Sequence, residues 1–187
     1  MAGRVWPRNA FFRRRLSWTI AGIAVALIAA IAGALQSAGP PLIGRAYIID
    51  GDTLRLGSTR IRLTGIDAPE FDQTCTNGSG SEWSCGMDAK DFLERLVRGH
   101  TLTCTRTGRD RYGRALARCT DDGADIALSL VAAGWATTEF DYVGAQASAR
   151  AAGLGIWSGP FLSPADWRRN HGTEFPGFWE FIRGWFQ

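Results

Sequence analysis

Four carboxylates, Asp50, Asp52, Asp67 and Glu70, fall within residues 48–70, IIDGDTLRLGSTRIRLTGIDAPE, a stretch that otherwise reads as β-strand. Carboxylates held close together repel and take up protons unless a cation satisfies them. Oxygen donors with no cysteine or histidine beside them suit a hard ion, Ca²⁺ or Mg²⁺. Arg62 alternates with Ile61 and Leu63 and so points away from their face, while Arg114 leaves the turn DRYGR (110–114) at the start of a strand. Two guanidinium forks beside a metal make a clamp for a phosphate group. A carboxylate left over from the metal could take a proton from water. Metal, two arginines and a base are the parts of phosphodiester hydrolysis. Taken singly, DGDT, IDAPE and DRYG are only turns, and Asp50 is expected to shape the first of them; the expectation rests on their convergence.

Convergence requires a curled sheet. Runs of strand character cover residues 45–50, 53–57 and 59–66, joined by tight turns at Asp50–Gly51 and Gly57–Ser58, which predicts an antiparallel meander. Helical spacing follows over residues 87–99, with Met87, Phe92, Leu93, Leu96 and Val97 on or near one face. Two further strands, 101–107 and 114–120, flank the turn 110–113. A helix over 125–134 has Asp125 as its N-cap, WATTEF (135–140) reads as a short strand, and a third helix covers 143–155. Three strands, a helix, two strands and more helices predict an α+β domain, mainly a five-stranded barrel with three helices, closed to remove its sheet edges.

Cys75, Cys85, Cys104 and Cys119 allow three pairings. Cys75 and Cys85 bracket the polar insertion 71–86, and a bridge between them would staple it. Centred between Arg111 and Tyr112, the second hairpin sets Cys104 opposite Cys119, at a separation a disulfide accepts. We therefore expect Cys75–Cys85 and Cys104–Cys119.

In order and spacing, IIDGDTLRL, IRLTGIDAPE and DRYGRALA resemble the three signatures of the staphylococcal nuclease (thermonuclease) family, and SLVAAGWA and GLGIW are similar to its later helices. The resemblance covers residues 44–157 and implies an OB-fold barrel. It implies that Asp52 and Asp67 bind calcium through carboxylates and Ala68 through its backbone carbonyl. It further implies that Glu70 is the general base, that Arg62 and Arg114 bind the scissile phosphate, and that Arg111 and Tyr112 lie near the nucleotide's terminal phosphate. Phe140 and Tyr142 are the candidates for an aromatic platform under a base. The expected activity is calcium-dependent hydrolysis of DNA or RNA by a monomer, with no protein partner. The alternative is an OB-fold envelope protein that binds nucleic acid or another ligand without cleaving it.

The net charge of +3 is concentrated at the N-terminus, where Arg4, Arg8, Arg13, Arg14 and Arg15 stand without an acid. The remaining chain is slightly acidic, so a polyanion would have to be held by a local patch rather than drawn in by the whole domain's field. From Leu16 to Leu35 no charge occurs, a length of about 30 Å as a helix. Residues 1–15 are thus expected to be cytoplasmic and 16–38 a transmembrane anchor or signal peptide, followed by a linker at 39–43. Either an inner-membrane anchor facing the periplasm or release after cleavage would export the domain, which suits disulfides. The tail, 158–187, is aromatic-rich, with Phe178, Phe181, Ile182, Trp185 and Phe186 at helical spacing.

Overall fold

The computed structural model describes residues 22–28 and 39–171. Helix α1 includes residues 22–28. Most of the expected anchor or signal segment, 16–38, lies outside the described residues, as do the basic segment 1–15 and the aromatic helix expected over 178–186. Among the described residues no helix is long and apolar enough to cross a membrane.

In the domain that follows, apolar alternation builds the meander. Strands β2 (Ala46–Asp50), β3 (Thr53–Leu56) and β4 (Thr59–Leu63) pair antiparallel. Ile48, Leu54, Leu56, Ile61 and Leu63 are buried, while Arg55 and Arg60 are exposed on the other face. Each such buried aliphatic chain contributes about 2 kcal/mol of transfer free energy. Gly57 turns β3 into β4 at a φ of 57°, a conformation glycine adopts without steric cost.

Long strands β7 (Leu102–Arg109) and β8 (Ala115–Asp121) form the second hairpin, and β8 lies parallel to β4. The sheet path runs β1 (Leu42–Gly44)-β7-β8-β4-β3-β2, with the short β9 (Ala124–Asp125) on β8. Arg45 alone separates β1 from β2, so one run of chain pairs with β7 through its first half and with β3 through its second. Helix α2 (Cys85–Val97) covers β2 and buries Ala89, Leu93 and Val97. Met87, expected on that face, is 46% exposed, because the buried stripe runs one position away from it. Helix α3 (Ile126–Ala132) packs on β8, capped as expected by Asp125, whose carboxylate accepts from the amides of Ala127 and Leu128. Helix α4 (Val143–Ala151) lies on α3.

Several elements differ from the sequence reading. WATTEF is not a strand: its ladder is a single bridge between Thr137 and Asp67, and the chain then turns into α4. The insertion 71–86 holds a small hairpin, β5 (Cys75–Thr76) with β6 (Glu82–Trp83), turned around the Asn77 side chain, which accepts from Ser79 and Ser81 amides. Residues Gly155–Ser158 form a 3₁₀ turn. A further helix, α5 (Pro164–His171), was not expected; the domain is thus mixed α+β with more helices than three.

Both disulfides form as expected. Cys104 and Cys119 face each other in the β7–β8 register with Cα atoms 4.0 Å apart, the closer of the two spacings that alternate along an antiparallel ladder. Cys75 and Cys85 are joined with Cα atoms 5.6 Å apart. The first bridge lies in the main core and the second in a separate cluster with Ile156, against which Trp83, Trp157 and Phe161 pack.

Candidate active site

The turn after β2 and the end of β4 bring the first charges together. Asp52 is 3% exposed, and its carboxylate accepts from the Thr53 hydroxyl at 2.8 Å and pairs with Arg62 Nη2 at 2.8 Å. The same Arg62 nitrogen lies 2.5 Å from Asp67 Oδ1. Strand alternation explains the geometry: Ile61 and Leu63 enter the core and Arg62 is left on the opposite face, beside Thr53 across the ladder. Asp67 is fixed through its backbone, which exchanges hydrogen bonds with Thr137 at 2.9 and 2.8 Å and accepts one from the Thr137 hydroxyl.

Glu70 is held from behind. Its carbonyl accepts from the Gln73 amide, its amide donates to Gln73 Oε1, and Gly86 at the start of α2 lies against its backbone so closely that a Cβ there would collide with the Glu70 carbonyl. Arg114 is aimed by Asp110, which accepts from its Nε at 2.6 Å and from its backbone amide at 2.9 Å. Its Nη1 reaches the Thr53 hydroxyl at 3.4 Å, linking the second hairpin to Asp52. Burial opposes ionisation of Asp110, but the Arg114 side chain and the amides of Arg114 and Tyr112 outweigh it and hold the carboxyl below the usual range.

A cleft of about 740 Å³ has Arg62, Glu70, Arg111, Tyr112 and Arg114 on its wall. Arg111 and Tyr112 are exposed on the turn, with the Arg111 guanidinium 4.8 Å and that of Arg114 5.7 Å from the Tyr112 ring centre. Asp50 accepts from the Gly51 amide of its turn at 2.8 Å and also lines the cleft. Burial pushes its carboxyl up to about 6; the Gly51 amide opposes this, and the nearby Asp52 and Glu70 charges add to it. Burial likewise raises Asp52, with Arg62 pulling the other way. Ala68 lies buried between Asp67 and Pro69. Tyr142 cannot serve as a platform, because it is buried and its hydroxyl donates to Asp125 at 2.8 Å; burial and that bond push it up to about 12. Phe140 is 84% exposed and lines a second cleft of about 800 Å³, together with Arg62, Asp67 and Arg168.

Three participants escaped sequence reasoning: Thr53, Asp110 and Arg168. Arg168, on α5, places Nη1 2.6 Å from Glu70 Oε1 and 3.0 Å from Asp67 Oδ1, with Nη2 2.9 Å from Asp67 Oδ2. These two carboxylates raise its pKa further. The signal for α5 was present in Ser163-Pro-Ala-Asp166, a capping box in which Ser163 Oγ accepts from the Asp166 amide and donates to its carboxylate. Nothing in that motif names Asp67 and Glu70 as the targets. The groups form one chain of contacts: Arg114, Thr53, Asp52, Arg62, Asp67, Arg168 and Glu70.

A family profile described as "Staphylococcal nuclease homologue" matches residues 60–159. The chain is 34% identical over 163 residues to the succinoglycan biosynthesis protein ExoI of Rhizobium meliloti (strain 1021), covering 83% of each. It is 35% identical over 135 residues to an "Uncharacterized endonuclease" of Haemophilus influenzae, covering 65% of this chain and 70% of that one. Endonuclease YhcR of Bacillus subtilis is 33% identical over 132 residues, 59% of this chain but 11% of its own length. The profile takes in Arg62, Asp67, Glu70 and Arg114 and ends before Arg168. With more than half its length matched, the chain belongs to the staphylococcal nuclease homologue family.

Proposed function

We propose that the protein is a calcium-dependent nuclease that hydrolyses phosphodiester bonds of DNA or RNA outside the cytoplasm, acting as a monomer. The observation that carries this reading is the bridging of Asp52 and Asp67 by Arg62, at 2.8 and 2.5 Å, with Arg62 itself lining the cleft beside Glu70 and Arg114. Relatives named endonuclease support a nuclease-type activity. Two disulfides favour an oxidising compartment, reached by anchoring or cleavage of the segment 16–38. The single chain run shared by β1 and β2 supports an OB barrel closed through Arg45.

The donor chemistry fits a hard cation. Half-buried Asp50 and buried Asp52 stand in each other's field, both pushed toward protonation, and the side chains about them that could ligate an ion are oxygen donors. Asp52, Asp67 and the Ala68 carbonyl would hold the ion. Bound there, calcium would polarise the phosphoryl oxygen and offset developing negative charge. The residues of this chain supply the rest. Arg62 and Arg114 donate to the non-bridging oxygens of the scissile phosphate, and Arg114 arrives pre-aimed by Asp110, so little ordering is required as the charge grows. Glu70 accepts the proton of the attacking water. Arg111 and Tyr112, exposed on the cleft wall, would contact the nucleotide's terminal phosphate.

The test is incubation of the oxidised chain with single-stranded and duplex DNA and RNA, with Ca²⁺ or with chelator. Calcium-dependent cleavage lost in Glu70→Gln and in Arg114→Ala is the expected result. Undiminished cleavage in both variants would overturn the assignment, and binding without cleavage would favour the non-catalytic alternative.

A further inference from the structure

Arg168 sits where the proposed nuclease site can least spare its oxygens. Its fork accounts for both oxygens of Asp67 and one of Glu70, and Asp67 Oδ1 also receives Arg62. Asp50, by contrast, accepts only the Gly51 amide among the described residues. Positive charge is thus concentrated on the Asp67–Glu70 side of the carboxylate group. Among the described residues no three acids, histidines or cysteines surround a point suited to an ion as they stand.

The arginine is delivered by a built scaffold. Segment 159–163 docks on the insertion: the Thr76 amide donates to the Pro160 carbonyl, and Gln73 Nε2 donates to the Leu162 carbonyl at 2.8 Å. Gly159 lies against the Thr76 carbonyl with no room for a side chain. Phe161 packs edge-on to Trp157 at 5.1 Å, within the cluster stapled by Cys75–Cys85. From this platform the Ser163–Asp166 capping box starts α5, and one turn later Arg168 meets the carboxylates. Gln73 ties the scaffold to the site, because one side chain grips Leu162 on one side and the Glu70 amide on the other.

We propose that Arg168 is a tethered competitor for the metal: its guanidinium lies across the Asp67 and Glu70 oxygens that the cation and the attacking water would use, and the ion loads only when α5 lifts. This rests on the calcium-dependent reading of the site. With Arg168 seated, its guanidinium occupies both oxygens of Asp67 and one of Glu70, which an ion or a water would otherwise use, so that arrangement is a resting one. Two cations contending for one carboxylate pair are linked through it: any ligand that binds only the open form is weakened by the fraction of molecules held closed. The docked insertion and its disulfide set that fraction by holding the base of α5.

The experiment is calorimetric titration of the full oxidised chain with CaCl₂ alone, comparing wild type, Arg168→Gln, Arg168→Lys and Ser163→Ala. Arg168→Gln is expected to bind Ca²⁺ about tenfold more tightly, and Arg168→Lys, which keeps the charge but loses the fork, in between. Ser163→Ala leaves every carboxylate and arginine of the site in place and frays α5 at its cap; it is expected to tighten binding about threefold, so the proposal stays testable if Arg168→Gln folds poorly. Equal or weaker Ca²⁺ binding by both Arg168→Gln and Ser163→Ala overturns it. So does unchanged Ca²⁺ affinity with a raised KM for DNA in Arg168→Gln, which would make Arg168 a phosphate ligand while leaving the nuclease reading intact. Absence of Ca²⁺ binding in every form, wild type included, overturns the calcium reading as well.

Discussion

Two regions meet at the cleft and are held in different ways. The β2–β4 meander carries Asp52, Arg62 and Asp67 within 16 residues of chain: Arg62 on β4, Asp52 in the turn before β3 and Asp67 just beyond β4, bridged to Thr137, all over fully buried side chains such as Leu54 and Ile61. The lobe made by the insertion and segment 159–171 reaches the same carboxylates from about a hundred residues away, secured by one disulfide, a small cluster and a few hydrogen bonds. Few buried contacts mean a low free energy of local opening. The difference predicts that the lobe opens at a lower free energy than the strands beneath it.

The largest expected effect separates catalysis from covering. Arg114→Ala should lower nucleic-acid cleavage by a factor of about 100 to 1,000, measured as initial rate at saturating Ca²⁺, because a pre-aimed donor to the phosphate is removed. Next comes the core under the strands: Leu63→Ala should cost about 3 kcal/mol in denaturant unfolding, since a fully buried aliphatic leaves a cavity. Phe161→Ala, in the lobe, should cost about 1 kcal/mol and raise amide exchange in 71–86 and 159–171 while leaving β3 and β4 protected. A global loss of protection in that variant would mean the two regions unfold together. The smallest effect tests the hairpin that aims Arg114. Asp110→Asn should cost about 1 kcal/mol at pH 7. Asp110 has a depressed carboxyl, so its stabilisation is present above the ordinary aspartate range and is lost as pH falls through its lowered value; the two proteins should converge in acid.

What could be read from the sequence follows the same division. Alternation and tight turns disclosed β2, β3 and β4, and with them the placement of Arg62 opposite Ile61 and Leu63, because period-two patterns are local. The Cys104–Cys119 pairing was legible because a hairpin is symmetric about its turn. WATTEF misled because its alternating residues meet one partner, Asp67, rather than a strand. Asp110 reads as a turn residue, and its second duty, holding Arg114 Nε, depends on a side-chain rotamer that no spacing reveals. Arg168 was illegible for a stronger reason: its partners lie 98 and 101 positions away, brought near by a disulfide and by Gln73, and local sequence carries no record of a contact that distant.

The run from Leu42 to Asp50 has a mechanical consequence. Its first half is in register with β7 and its second with β3, with Arg45 the one residue between. A slip of one residue along either neighbour would drag the other half out of step and turn Ile48 from the interior to the solvent. The same nine residues also occupy the hydrogen-bonding edges that β7 and β3 would otherwise offer to a second molecule. Two edges open to mispairing are thereby covered by one run of chain, and Ile43→Pro or Ile48→Pro should promote self-association through the sheet, as light scattering would detect.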